Sequence, residues 1–263
     1  MSFTPKKSLG QNFLKNKNII SKIVDTAELS SKDIVLEIGP GTGNLTKVIL
    51  ERKPKKIFVV EKDKNLSILL DKKFGKEINI INKDILECYN DFKFNLPIKV
   101  FGNLPYNIST KILTSFIKIE NLNKIFKKFI FVFQKEVADR IVAEENTKNY
   151  GRLSIISSWK MTNSRVFNIS PESFYPVPKV WSSLVIFSPK LRYENLDKFK
   201  NLEHITNIFF NQRRKMIKKP MKFLFKNYEE VAKNLKLDLN LRPQNLTLNN
   251  YIEICKLYEN LNN

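Results

Sequence analysis

The sequence predicts an α/β fold: a mostly parallel sheet flanked by helices, an antiparallel hairpin at its edge, and a small helical region at the C-terminus. Three observations carry this reading. From residue 34 to residue 134 short β-rich runs alternate with helix-like segments, the pattern of strands joined by crossover helices. A glycine cluster follows directly on the first of these runs. Beyond Gly151 the alternation stops, and two β-rich runs are separated only by a proline-bearing loop before the chain turns helical.

Each element has its own justification. Ile34-Val-Leu-Glu-Ile38 reads as a buried strand, and Gly39-Pro40-Gly41-Thr42-Gly43 as the turn that ends it. A helix is expected from about Asn44 to Arg52, then a strand over Lys56–Glu61 and a helical stretch to about Phe74. Ile78–Asn82, Ile98–Gly102 and Phe129–Gln134 supply the third, fourth and fifth strands. Arg165–Ile169 and Val180–Phe187 are expected to pair as the edge hairpin, because so short a connection does not suit a parallel crossover. Ser188-Pro189 then closes the sheet, which predicts one domain over residues 1–189 and a second over 190–263. Leucine spacing in the second predicts helices near 228–236 and 247–261, and no internal repeat is visible.

Composition narrows the functional classes. A chain of 263 residues can bury a sizeable core. No apolar run reaches membrane-spanning length, and the N-terminus lacks the pattern of a secretory signal. Cys88 and Cys255 are far apart and His204 is the sole histidine, which speaks against a Cys/His zinc site and for a reducing, cytoplasmic setting with no metal.

The formal net charge is +20, with +13 before residue 190 and +7 after it. Such a balance suits a polyanionic partner, although Lys supplies 38 of the 46 basic residues, as an AT-rich genome would also dictate. Placement says more than the total. From His204 to Tyr228 there is no Asp or Glu, and Arg213, Arg214, Lys215, Lys218 and Lys219 crowd into that stretch. They form a candidate RNA contact, a solvated helix face being the plainer alternative.

Glycines after a first strand let the backbone turn tightly and bring N–H groups close to a ligand. Gly39, Gly41 and Gly43 suit that purpose, but the spacing departs from the dinucleotide pattern, which favours a smaller nucleoside over a pyrophosphate cofactor. Glu61 ends the second strand, where a carboxylate can accept from ribose hydroxyls, and Asp84 follows the third, within reach of an adenine amino group.

Asn103-Leu104-Pro105-Tyr106 follows the fourth strand. An exocyclic adenine amine is a poor nucleophile because its lone pair is delocalised into the ring. Two acceptors holding its N–H groups, the Asn103 side-chain oxygen and the Leu104 carbonyl, would favour a tetrahedral nitrogen and free that lone pair for a methyl group. Pro105 restricts the backbone that presents them, and Tyr106 offers a face on which an extruded base can stack. The plain alternative is an Asn-Pro turn with a core tyrosine.

At this point Gly102-Asn-Leu-Pro-Tyr-Asn-Ile-Ser-Thr110 resembles the signature of the KsgA/RsmA family of small-subunit rRNA adenine N6-dimethyltransferases. Further segments are similar in order: Leu9-Gly-Gln-Asn-Phe-Leu14, Val35–Thr46, Gln134–Arg140, Tyr150–Ser154, Ser173–Val180 and Phe210–Lys215. The resemblance implies a Rossmann-like class I methyltransferase sheet that binds S-adenosylmethionine, with S-adenosylhomocysteine as product. It implies cofactor contacts from Gln11, Asn12, Leu14, Gly39, Gly41, Glu61, Asp84 and Asn103. It also implies that Tyr106 and Phe174 sandwich the target adenine, although Phe174 beside prolines reads by itself as a loop anchor. The implied substrates are two adjacent adenosines near the 3′ end of 16S rRNA in a pre-30S particle, modified by a monomeric enzyme with a C-terminal RNA-binding domain.

One departure is visible: Lys218-Lys-Pro220 interrupts what is a polar helical run in the family, and Pro220 is expected to kink or end a helix. Two alternatives stay open. One is a non-catalytic RNA-binding assembly or organellar transcription factor on the same fold, which would need none of Asn103, Tyr106, Glu61 and Asp84. The other is a large-subunit rRNA adenine methyltransferase.

Overall fold

A computed structural model describes residues 10–92 and 97–262. Leu9, the first residue of the N-terminal motif, lies outside the described residues. Nine strands follow in chain order: β1 (Phe13–Leu14), β2 (Ile34–Ile38), β3 (Lys56–Val60), β4 (Asn79–Ile81), β5 (Ile98–Asn103), β6 (Phe126–Gln134), β7 (Met161–Ile169), β8 (Phe174–Tyr175) and β9 (Ser182–Pro189). Seven of them form one sheet in the order β4-β3-β2-β5-β6-β9-β7, and β1 and β8 form a separate antiparallel pair. β3, β2, β5 and β6 run parallel with their neighbours, β4 joins β3 in parallel, and β9 meets β6 antiparallel.

The helices between these strands begin where the sequence supplies a cap. Asp63 accepts from the Asn65 N–H at the start of Lys64–Phe74, and Asp84 accepts from the Leu86 N–H at the start of Ile85–Cys88. Such side chains satisfy backbone donors that the helix leaves unpaired. Helix Asn44–Glu51 instead begins at Gly43, in the left-handed conformation.

Strand β6 shows why its apolar run is continuous. Phe129, Phe131 and Phe133 alternate with Ile130 and Val132, and all five are buried. The first set meets Phe116 of helix Ser109–Lys118 and Phe187 of β9, with ring centroids 5.2 Å apart for Phe116–Phe129 and 6.0 Å for Phe133–Phe187. The second set belongs to the core that also holds Val35, Val59, Phe101 and Leu184. A strand covered on both faces carries no polar alternation.

Register sets the functional edge. Ile38 is level with Val60 of β3 and with Gly102 of β5, and Val60 is level with Ile81 of β4. Gly39 and Glu61, which follow β2 and β3, and Asn103, the last residue of β5, therefore lie in one row, with Asp84 just beyond β4.

The division of the chain differs from the expected boundary at residue 189. One compact unit runs through Ala138 and resumes at Thr162–Leu191; the other joins Asp139–Met161 to Arg192–Asn263. The reason lies in helix Arg152–Lys160, whose Trp159 stacks on Phe199 at 5.8 Å and whose Arg152 donates to Asn207 at 3.0 Å. A strand-helix alternation read along the chain assigns that helix to the sheet; its buried face assigns it to the C-terminal unit. Pro220 is a second correction. It occupies the first turn of helix Lys218–Leu224 rather than ending one. An N–H there would have no partner within the helix, so its loss is tolerated.

Candidate active site

The row of strand ends opens onto a cavity of about 230 Å³, against the ~15 Å³ that one water needs. Gly39, Gly41, Glu61 and Asp84 line it together with Asn103 to Asn107 and Gly10 to Phe13. Gly39 has φ +65°, and a Cβ built there would meet nothing within 4 Å. That open face is where a ligand can approach the backbone closely.

Glu61 is 6% exposed, and its two oxygens accept from the N–H groups of Gly41 at 3.1 Å and Asp63 at 2.9 Å. Burial raises its pKa, and those backbone hydrogen bonds hold the increase down. Each oxygen keeps a second lone pair for a hydroxyl donor. Asp84 accepts from Leu86 N–H at one oxygen and from Lys62 Nζ, 2.9 Å away, at the other. Partial burial pushes its pKa up, but Lys62 and the Leu86 N–H outweigh that and hold it below its ordinary value. Two acids at one rim thus differ in character: one buried and locked to the glycine turn, the other ionised and paired.

Asn103 is oriented by the N-terminal segment. Its Nδ2 donates to the Asn12 carbonyl at 2.6 Å. A carbonyl can only accept, so the amide must place its nitrogen there and its oxygen on the other side. The carbonyls of Pro105 and Tyr106 are engaged within the following turn by Ile108 N–H and Ser109 Oγ, bonds in which Leu104 takes no part. Tyr106 is half-buried, and its hydroxyl lies 2.6 Å from Ser182 Oγ of β9, which fixes the ring. Burial raises the Tyr106 pKa, with the Ser182 bond opposing it.

Of the residues singled out in the sequence, Gln11, Asn12, Gly39, Gly41, Glu61, Asp84, Asn103, Leu104, Pro105 and Tyr106 are brought together in the lining of this cavity. Leu14 and Phe174 are not. They face each other across the β1–β8 pair, at 3% and 0% exposure, within the hydrophobic core. The Leu14 carbonyl is occupied by Asn44 Nδ2 at 2.7 Å. Phe174 is thus buried where it stands, outside the cavity lining, in the core that β1 and β8 share.

Three contributors escaped the sequence reading. Phe13 packs so closely on the glycine turn that a Cβ at Gly41 would lie 2.5 Å from its ring. Lys62 pairs with Asp84, and Ser182 holds Tyr106. Adjacency to Glu61 was the available signal for Lys62; nothing in the sequence marks Ser182.

The basic residues divide too. Arg213 donates to Gln244 Oε1 and to the Thr147 carbonyl, both at 3.1 Å, and so ties two loops of its own unit. Arg214, Lys215, Lys218 and Lys219 are exposed. Among the described residues no group of three His, Cys, Asp or Glu side chains could hold a metal ion, and no helix is long and apolar enough to cross a membrane.

Comparison with known proteins places this geometry in context. The family model described as ribosomal RNA adenine dimethylase matches residues 2–260. The protein named ribosomal RNA small subunit methyltransferase A from Pelagibacter ubique is 54% identical over 97% of both chains. Its namesake from a Wolbachia of Brugia malayi is 41% identical over 98% of this chain and 97% of its own. Among solved structures, a dimethyladenosine transferase from Plasmodium falciparum superposes with a TM-score of 0.76 at 27% identity, covering 94% of this chain and 98% of that one. The 23S rRNA methyltransferase ErmE shares the fold, with a TM-score of 0.69 at 22% identity over 95% of this chain and 100% of its own.

Proposed function

The chain belongs to the ribosomal RNA adenine dimethylase family, and on that premise we propose that it transfers methyl groups from S-adenosylmethionine to N6 of two adjacent adenosines near the 3′ end of small-subunit rRNA. Each adenosine receives two methyls, in a pre-30S particle in the cytoplasm, as a step of small-subunit maturation.

The cavity suits a nucleoside cofactor. The open backbone face at Gly39, the buried Glu61 carboxylate and the ionised Asp84 offer close approach and acceptors for ribose and adenine donors. Gln11 and Asn12 border the same space and offer further polar groups. When bound, S-adenosylmethionine supplies an electrophilic methyl on a positively charged sulfur.

The residues of the chain do the rest by position. The Asn103 oxygen accepts one N6–H of the target base and the Leu104 carbonyl accepts the other, which draws the nitrogen toward a tetrahedral shape and exposes its lone pair. Tyr106 supports the base on one face. As the nitrogen bonds to the methyl carbon, the carbon–sulfur bond would break and S-adenosylhomocysteine would leave; the nitrogen's proton then passes to water, so no strong general base is required. Fixed acceptors of this kind cost no reorganisation at the moment of reaction.

The observation that carries this reading is the hydrogen bond from Asn103 Nδ2 to the Asn12 carbonyl, since it commits the amide oxygen as an acceptor. Asn103→Ala is expected to lower methyl transfer at least ~100-fold, the usual cost of losing one preorganised polar contact, with a smaller loss of cofactor affinity. Normal turnover in that variant would show the assignment to be wrong. The binding-factor alternative needs no such acceptor, and the small-subunit name of the relatives favours this branch over large-subunit methylation.

A further inference from the structure

The C-terminal unit carries an exposed aromatic that neither folding nor the site described above employs. In and around helix Lys218–Leu224 the buried positions are Ile217, Pro220, Met221 and Phe225. The outward positions are Lys218, Lys219, Lys222, Phe223 and Lys226. Phe223 is 73% exposed, standing one helical turn from Lys219 on the same face. Met216, 54% exposed, immediately precedes the N-cap residue Ile217 of this helix.

Two features of this face point to a ligand. Arg214, Lys215, Lys218, Lys219, Lys222 and Lys226 have no ion-pair partner among the described residues, and the segment from His204 to Tyr228 contains no acid. Cations so placed repel one another and gain only from an outside anion. A phenylalanine among them can neither pair with phosphate nor donate a hydrogen bond; what it offers is a flat apolar face. Lysines along a backbone and an aromatic for the bases is the division of labour by which proteins hold unpaired nucleotides.

We propose that Phe223 is a base-stacking residue, which takes an unpaired nucleotide of the RNA substrate while Lys218, Lys219, Lys222 and Lys226 neutralise the adjoining phosphates. This rests on the functional reading above and adds to it a specific contact remote from the chemistry. An apolar protein surface is the competing occupant, and it would bring carboxylates toward the lysines without needing a planar ring.

The test compares the parent chain with F223A, F223L and F223W in binding to small subunits purified from cells that lack this enzyme, at several salt concentrations. F223A and F223L are expected to weaken binding about 5- to 150-fold with an unchanged salt slope, while F223W binds like the parent. The parent and the three variants should melt alike, since the side chain lies in solvent, and F223A should match the parent's methyl transfer at saturating particle. Unchanged affinity in F223A overturns the proposal, and rescue by leucine as complete as by tryptophan assigns the face to a protein contact. A parent chain that methylates no RNA would defeat the functional reading itself, whereas a methylating parent whose F223A variant binds equally well defeats only the stacking contact.

Discussion

Glu37 is the penultimate residue of β2, 1% exposed, with Thr46 Oγ1 donating to its carboxylate at 2.7 Å. Burial pushes its pKa up to about 8, against the Thr46 bond and with help from the charge of Glu61. A carboxyl whose folded pKa is raised favours the folded state only while protonated. Its contribution is complete below the ordinary value of 4.5 and is lost as pH rises through about 8. Glu37→Gln keeps an acceptor for Thr46 and removes the titration. Its melting temperature is expected to vary less than the parent's between pH 5 and 8; equal slopes would mean that Glu37 stays ionised in the fold. At this scale the sequence revealed residue types better than surroundings. Asn103, Glu61 and Asp84 were legible because each follows a strand end, where register makes position a good guide. The burial of Leu14 and Phe174 and the partners of Arg213 were not legible, because they depend on segments distant in the chain.

The N-terminal segment and the proline loop act together as an element. β1 pairs with β8, the Asn12 carbonyl orients Asn103, and the Phe13 ring lies on Gly41. Gly41 has φ +59° and no room for a Cβ beneath that ring. Gly41→Ala is therefore expected to cost roughly 2–4 kcal/mol, from the left-handed backbone and the overpacking together. Adding Phe13→Ala should recover part of that loss, because it removes the clash and leaves only the backbone strain. Additive losses in the double variant would separate the ring from the turn. Strands β2 to β6 and helices Asn44–Glu51 and Lys64–Phe74 were readable from the succession of β-rich and helix-like runs, whereas a four-residue helix such as Ile85–Cys88 is too short to show a period. A two-residue strand such as β1 or β8 has no period to read. Pro220 misled for a different reason: a proline is compatible with a helix at its start and not in its middle, and the sequence did not reveal where that helix began.

Over the whole chain, excess positive charge occurs on both sides of residue 189, and the net value of +20 suits an RNA substrate. The basic pair Arg213–Arg214 is divided, one side chain bonded within its unit and the other exposed. Arg213→Ala should lower the melting temperature by several degrees, through loss of its bonds to Gln244 and Thr147, with little effect on the salt slope of RNA binding. Replacing exposed Arg214 and Lys215 with glutamine should leave melting unchanged and reduce that slope by about 1.4 for two phosphate contacts on single-stranded RNA. An unaltered slope would remove both residues from the footprint. The division into two units was half legible: the change of pattern after Gly151 was visible, but the return of Asp139–Met161 to the C-terminal unit depends on which helix face is apolar toward which neighbour.

All of this converges on an adenine amine presented to a methyl donor beside Asn103. The most direct measurement supplies purified protein with labelled S-adenosylmethionine and unmodified small subunits, then maps the label in the RNA. The expected result is N6,N6-dimethyladenosine at two adjacent positions near the 3′ end, absent when Asn103→Ala replaces the parent. Label confined to another nucleotide or to large-subunit RNA, or no label in RNA at all, would contradict it.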